Sequence, residues 1–63
     1  MKEYIIYYKP KDEFVSTFGD DFRTSEFSEE YALFNSIEQA KSVIMQLKCE
    51  HGLDPSDLEI EEY

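Results

Sequence analysis

Few residues in this sequence have side chains suited to nucleophilic or acid–base catalysis. Cys49 and His51 are the one soft, nucleophilic pair, and a thiolate activated by an imidazole needs the two side chains in contact. The two residues are separated by one position in a predicted helix, so their side chains point to different sides of it. His51 is expected to interact with the last helical carbonyls, and Cys49 is expected to be an incidental exposed thiol. We therefore predict no enzyme and no catalytic residues.

The sequence also argues against a metal or cofactor site. One Cys and one His cannot supply the four ligands of a structural zinc site. The pair Asp20-Asp21 and the turn containing Asp54 and Asp57 lack the spaced Asp/Asn pattern of a calcium loop. The sequence contains no glycine-rich phosphate-binding loop. We expect neither a metal nor a cofactor.

Carboxylates are the one abundant chemical group. Fifteen Asp and Glu residues stand against six Lys and Arg, and the formal net charge is −9. This balance excludes direct nucleic-acid binding, which needs cations against phosphates, and binding to anionic membranes. The acids gather in two segments, and the candidate partner-binding residues are Asp20, Asp21, Glu26, Glu29 and Glu30, together with Asp54, Asp57, Glu59, Glu61 and Glu62.

The acids have two interpretations, and both stay open at this point. Glu59 and Glu61 alternate with Leu58 and Ile60, so in a strand they share one face at a spacing of about 6.6–6.8 Å. Such a row can stand in for the phosphates of a nucleic-acid strand and steer the protein toward a basic groove on a protein partner. Alternatively, the acids only keep a small domain soluble and protect its edge strands.

Length and composition indicate one small folded domain over residues 1–63. The chain is 41% hydrophobic and 16% aromatic, which is too apolar for a disordered acidic segment. A single cysteine excludes an internal disulfide and favours a reducing compartment. A homodimer is then the remaining means of support for so short a chain. Residues 1–3 show no secretory signal and no membrane-length apolar run follows, so we expect a cytoplasmic protein.

The first half of the chain predicts three strands. Residues 4–8 are apolar at both odd and even positions, as in a central strand buried on two faces. A Pro-containing turn leads to a second strand at 13–18, which completes a hairpin. An acidic connection at 19–29 carries Phe22 and Phe27, which either tuck under the core or serve as exposed contact anchors. A short third strand is predicted at 30–34.

The second half predicts a helix and a final strand. Ser36 is a good N-cap with Gln39 completing a capping box, and Gly52 with Leu53 predicts a Schellman-type stop. The expected buried stripe comprises Ile37, Ala40, Val43, Ile44 and Leu47. Met45 and Cys49 lie on the nominal solvent side and form a candidate interface. A turn at 54–57 precedes a half-exposed strand at 58–61.

These elements predict an α+β fold in the order β-β-β-α-β. The expected four-stranded mixed sheet has the order 4-1-2-3, with strand 4 parallel to strand 1 and one helix packed on one face. The opposite face has no helix, so it is expected to be partly apolar and to favour a partner or a dimer.

One segment resembles a sequence pattern that is common in very small phage and prophage proteins: Tyr31-Ala32-Leu33-Phe34-Asn35-Ser36-Ile37-Glu38-Gln39-Ala40. The resemblance covers about residues 30–48: a short strand ending in an aromatic is followed by a capped helix. It transfers no functional residues. It implies a host-takeover or anti-defence role, because small acidic phage proteins often inhibit host nucleic-acid enzymes. The hypotheses are therefore an inhibitor acting through its acidic surface, or a homodimeric accessory domain whose acids serve only solubility.

Overall fold

In the computed structural model, which describes residues 2–63, a four-stranded sheet carries one helix on one face. The strands are β1 (Tyr4–Tyr8), β2 (Glu13–Thr17), β3 (Arg23–Ser25) and β4 (Leu58–Glu62), and the helix is α1 (Ile37–His51). Short 3-10 turns lie at Lys9–Lys11, Ser28–Glu30 and Pro55–Asp57. The strand order is β3-β2-β1-β4. This confirms the α+β architecture, the sheet order and the central position of β1.

The direction of the last strand differs from the prediction. β4 pairs antiparallel with β1, from Tyr4 opposite Glu62 to Tyr8 opposite Leu58, so the sheet is antiparallel throughout rather than mixed. The reason lies in the connection after β3, which carries the chain back to the start of β1 before α1 begins. The helix then runs toward the end of β1, and β4 has to return in the opposite direction.

The third strand also lies elsewhere in the sequence. It is Arg23–Ser25, inside the predicted acidic connection, and it pairs with β2 across an irregularity between Val15 and Thr17. Residues 30–34 are not a full strand. The Ala32 N–H donates to the Val15 carbonyl at 2.9 Å, and Phe34 forms a two-bond bridge with Tyr4. This aromatic segment, whose composition is typical of a strand, is therefore a connection that is hydrogen-bonded to both β1 and β2.

The main core lies between α1 and the sheet. Ile6, Val15, Phe34, Ala40 and Leu47 are at most 1% exposed, and Val43 and Leu58 are 6% exposed. Ala40, Val43 and Leu47 come from α1, so most of the predicted stripe is buried. Ile44 is only partly buried against the core. Ile37 departs from the prediction, because at the first helical position it remains 46% exposed.

Both ends of α1 follow the local sequence. The Ser36 hydroxyl accepts from the Gln39 N–H at 3.1 Å, and the Gln39 side chain accepts from the Asn35 N–H at 2.9 Å. Gly52 adopts the left-handed conformation at φ 68°, which a glycine tolerates without Cβ strain. The Gly52 N–H donates to the Lys48 carbonyl at 3.1 Å, which is the bond of an αL-type stop rather than of the predicted Schellman motif. The Leu53 N–H donates to the Leu47 carbonyl at 3.4 Å.

The Ser36 cap provides a test of the helix start. Ser36→Ala should lower the free energy of unfolding by about 1 kcal/mol, because it removes the acceptor for an otherwise unpaired N–H. Ser42→Ala is the matched control, since Ser42 is exposed within α1 and alanine is the better helix former. Urea denaturation followed by circular dichroism measures both. Equal effects of the two substitutions would contradict the capping role.

Candidate functional site

The sheet face opposite α1, called the open face below, is covered by aromatic rings. The alternation of β1 places Ile6 toward α1 and Ile5 and Tyr7 on the open face. The ring centroids of Tyr7 and Phe14 lie 5.2 Å apart, and those of Phe14 and Tyr31 lie 4.6 Å apart. Tyr31 meets Tyr63 edge-to-face at 6.5 Å. These four rings, Tyr7, Phe14, Tyr31 and Tyr63, are called the aromatic row.

The aromatic row forms a second apolar layer. Ile5 is 5% exposed although no helix lies on its side of the sheet, and it is not part of the core cluster under α1. Tyr7, Phe14 and Tyr31 are half-buried, whereas Tyr63 remains 56% exposed. The open face is therefore apolar at its centre, and the hydroxyl groups of its three tyrosines add polar groups to it.

Carboxylates surround the aromatic row. Glu61 lies opposite Ile5 and Glu59 opposite Tyr7 in the β1–β4 pairing, so both acids share the open face, as predicted from their alternation. The Tyr7 hydroxyl donates to Asp12. That hydrogen bond, burial and the nearby charges of Asp12, Glu61 and Glu59 raise the pKa of Tyr7.

The second end of the row has its own acids. Burial and then the neighbouring Tyr63, Glu26 and Glu29 raise the pKa of Tyr31. The Tyr31 hydroxyl donates to the Glu26 carbonyl at 3.3 Å. Beneath this segment, the Ser25 hydroxyl donates to the Glu30 carboxylate at 2.5 Å. The structure thus brings Glu26 and Glu29 from one acidic segment and Glu59 and Glu61 from the other to the same ring row.

Most of the remaining candidate acids make hydrogen bonds or ion pairs with nearby residues, away from the open face. The Asp54 carboxylate accepts from the Ser56 N–H at 2.9 Å. Hydrogen bonds from the backbone and the side chain of Ser56 lower the pKa of Asp54. Asp57 closes the same turn through its backbone N–H. Glu62 faces the α1 side and lies 3.8 Å from Lys2. Asp20 and Asp21 line a shallow cavity beside Gly19, and Asp21 lies 3.9 Å from Arg23.

Asp12 and the aromatic row were absent from the sequence-based candidates. Asp12 lies in the predicted Pro-containing turn before β2, where it adopts the left-handed conformation at φ 53°. The sequence signal that could have found the aromatic row is the alternation of odd and even positions along a strand, which sets the face of the sheet. Tyr63 continues the alternation of Glu59 and Glu61, and Tyr7 shares the parity of Ile5. Tyr31 has no such signal, because its position depends on how the connection after β3 crosses the sheet.

Cys49 and His51 have no shared site. The His51 ring lies 3.1 Å from the Gly19 carbonyl oxygen and packs near Phe22, with ring centroids 6.1 Å apart. His51 therefore links α1 to the turn after β2 instead of to the last helical carbonyls. Cys49 is exposed, and Met45 is 54% exposed on the solvent side of α1. Both residues are therefore exposed on α1, as predicted for the candidate interface. The use of this helix surface as an interface stays a prediction.

The two phenylalanines of the predicted acidic connection differ in burial, and the use of Phe27 as a contact anchor stays a prediction. Phe22 is half-buried and packs edge-to-face on Tyr8 at 5.3 Å, so it supports the core. Phe27 is 56% exposed. An open groove of about 730 Å³ lies at the start of α1 and is lined by Lys2, Glu3, Tyr4, Asn35, Ser36, Ile37 and Glu38.

Within residues 2–63, no three His, Cys, Asp or Glu side chains come together as metal ligands. Over the same residues, no helix is long and apolar enough to cross a membrane. No family model, curated protein or solved structure matches this chain.

Proposed function

We propose that this chain is a non-enzymatic binding module that docks its open face into a basic groove of a nucleic-acid-binding protein. The observation that carries the proposal is the shared face of Glu59 and Glu61, beside Asp12 and the aromatic row. Adjacent same-face residues of a strand are about 6.6–6.8 Å apart. Carboxylates at this spacing can stand in for successive phosphates of a nucleic-acid strand.

Electrostatics favour such a partner. The net charge of −9 attracts a basic protein over a distance and raises the rate of encounter. Glu59 has one cationic neighbour, Lys9, at 3.8 Å, but both side chains are about half exposed. An exposed pair of this kind contributes about 0–1 kcal/mol, so a multivalent basic groove can displace Lys9.

Inhibition follows from occupation of the groove. While the open face occupies a basic groove, nucleic acid cannot enter it. The resemblance of residues 30–48 to small phage proteins extends the proposal to a nucleic-acid enzyme of a bacterial host, with the host cytoplasm as the place of action. The module itself needs no catalytic residue or cofactor for this role.

A second candidate function is a homodimeric accessory domain whose acids serve solubility. The exposed apolar residues on the solvent side of α1 favour it, because Met45 is 54% exposed there and methionine suits adaptable contacts. In this case the open face has no partner, and Met45 and Cys49 lie in the dimer interface. Light scattering after size exclusion distinguishes a dimer from a monomer.

The two functions are separated by a capture experiment with competition. The immobilised protein is incubated with bacterial lysate at two salt concentrations, and the captured proteins are identified by mass spectrometry. We expect a nucleic-acid-binding protein that is lost at high salt and displaced by duplex DNA. Glu59→Gln with Glu61→Gln should weaken capture about tenfold or more, because two interfacial charges are removed.

Glu38→Gln with Glu50→Gln is the matched control. It removes the same charge from exposed positions of α1, on the other side of the sheet, and should leave capture nearly unchanged. If the control pair weakens capture as much as the Glu59/Glu61 pair, net charge and not the open face is responsible. A dimer that captures no nucleic-acid-binding protein would support the accessory domain instead.

A further inference from the structure

We infer that the open face recognises arginine side chains in an extended segment of the partner and selects arginine over lysine. This inference rests on the proposed function and specifies the chemistry of the partner. It is carried by the placement of half-buried and exposed tyrosine rings beside carboxylates at two points of the aromatic row.

The first point is Tyr7 with the acids of β4. Tyr7 and Glu59 are directly opposite each other in the antiparallel pairing, where Cβ atoms are about 4.5–5.5 Å apart. Glu61 is the next residue of β4 on the same face. The Tyr7 hydroxyl is held by Asp12, which fixes the ring at the edge of this acidic group.

The second point is the pair Tyr31 and Tyr63 with the acids before and within the 3-10 turn at Ser28–Glu30. The two rings meet at 76°, so the edge of one ring faces the other ring. Tyr63 is 56% exposed, and part of its ring is therefore free to contact a ligand. The Tyr31 hydroxyl donates to the Glu26 carbonyl at 3.3 Å, so Glu26 lies beside this ring, and Glu29 precedes Tyr31 by two residues.

Arginine matches both points better than lysine does. A guanidinium is planar, stacks on an aromatic face and can direct its N–H groups to a carboxylate in the same plane. An ammonium is a compact, strongly hydrated charge that pairs with the carboxylate but gains less from the ring. The acids alone would attract both cations, so the rings provide the discrimination.

The length of the row fits an extended segment. Two steps of 5.2 Å and 4.6 Å join Tyr7 through Phe14 to Tyr31. Alternate side chains of an extended peptide recur at about 6.6–6.8 Å on one side. The Tyr7–Tyr31 separation is thus at most about 10 Å, which lies between one and two of these alternate steps. Two long arginine side chains on the same side of the segment can therefore reach both points at the same time.

Two synthetic peptides test the inference. They share one sequence of neutral residues with four cations at alternate positions, which are arginine in one peptide and lysine in the other. We expect the arginine peptide to bind several-fold to tenfold more tightly by fluorescence anisotropy, since a cation–π contact contributes about 0.5–2 kcal/mol and 1.4 kcal/mol corresponds to tenfold. Glu59→Gln with Glu61→Gln should weaken both peptides.

Substitution at Tyr63 assigns the preference to the ring. Tyr63→Leu should reduce the arginine preference severalfold, while Tyr63→Phe, which retains a ring, should preserve it. Thermal unfolding confirms that both variants are folded, as the exposure of Tyr63 leads us to expect. Equal binding of the two peptides, no binding of either, or full preference in Tyr63→Leu would overturn the inference. The proposed function is judged separately, by the DNA-competed capture.

Discussion

Phe34→Ala is expected to remove a large share of the folding stability of the protein. Phe34 is 1% exposed, packs on Phe18 with ring centroids 5.5 Å apart, and bridges Tyr4 through its backbone. Removal of a buried Phe side chain costs about 3–5 kcal/mol. A domain of this size has a total stability of roughly 3–9 kcal/mol, so the loss ranges from about a third of the total to all of it. Far-ultraviolet circular dichroism and urea denaturation measure it.

Phe27→Ala is the matched control for this substitution. It removes the same side chain from a position that is 56% exposed, seven residues earlier in the same connection. We expect a change below about 1 kcal/mol, as for most exposed positions. If Phe34→Ala were as mild as Phe27→Ala, the connection after β3 would not anchor the core beneath the start of α1.

Ile5→Ala is expected to destabilise the protein by about 2–4 kcal/mol, although no helix covers its side of the sheet. Ile5 is only 5% exposed, and it shares its sheet face with the aromatic row, which we infer to cover it. Burial by rings gives the same transfer free energy as burial by a helix, and truncation leaves a cavity beneath the rings. Chemical denaturation gives the change in unfolding free energy.

Ile37→Ala is the control for Ile5→Ala. Ile37 is 46% exposed at the start of α1, so the same truncation there should cost well under half as much. Tyrosine fluorescence provides a second readout, because the loss of Ile5 should loosen the packing of Tyr7 and Tyr31. A silent Ile5→Ala would mean that the rings do not form a closed layer over the sheet, and the arginine sites would then lose their rigid support.

The aromatic row connects stability with the proposed function. The same rings that cover Ile5 also hold their phenol groups among Glu26, Glu29, Glu59 and Glu61. Rings that are already packed lose little side-chain freedom on binding, which reduces the entropic cost of association. A partner therefore meets a preformed surface with both an apolar and an acidic component.

The sequence alone determined the features that depend on neighbouring residues. The cap at Ser36 and the stop at Gly52 come from hydrogen bonds within one helical turn. The alternation at 58–61 defined which acids share a face, because strand side chains alternate in any sheet. The apolar residues of both parities in β1 similarly indicated its central place.

Only the tertiary structure decided the strand direction and the composition of the site. A connection of polar and aromatic residues can cross a sheet along several routes, and local propensity does not distinguish among them. In this chain the core position of Phe34, bridged to Tyr4, selects the route. That route reverses β4, places Tyr31 against Phe14, and brings acids from two distant segments together on the open face. Long-range packing, which the order of residues does not display, therefore determines the surface on which the proposed function depends.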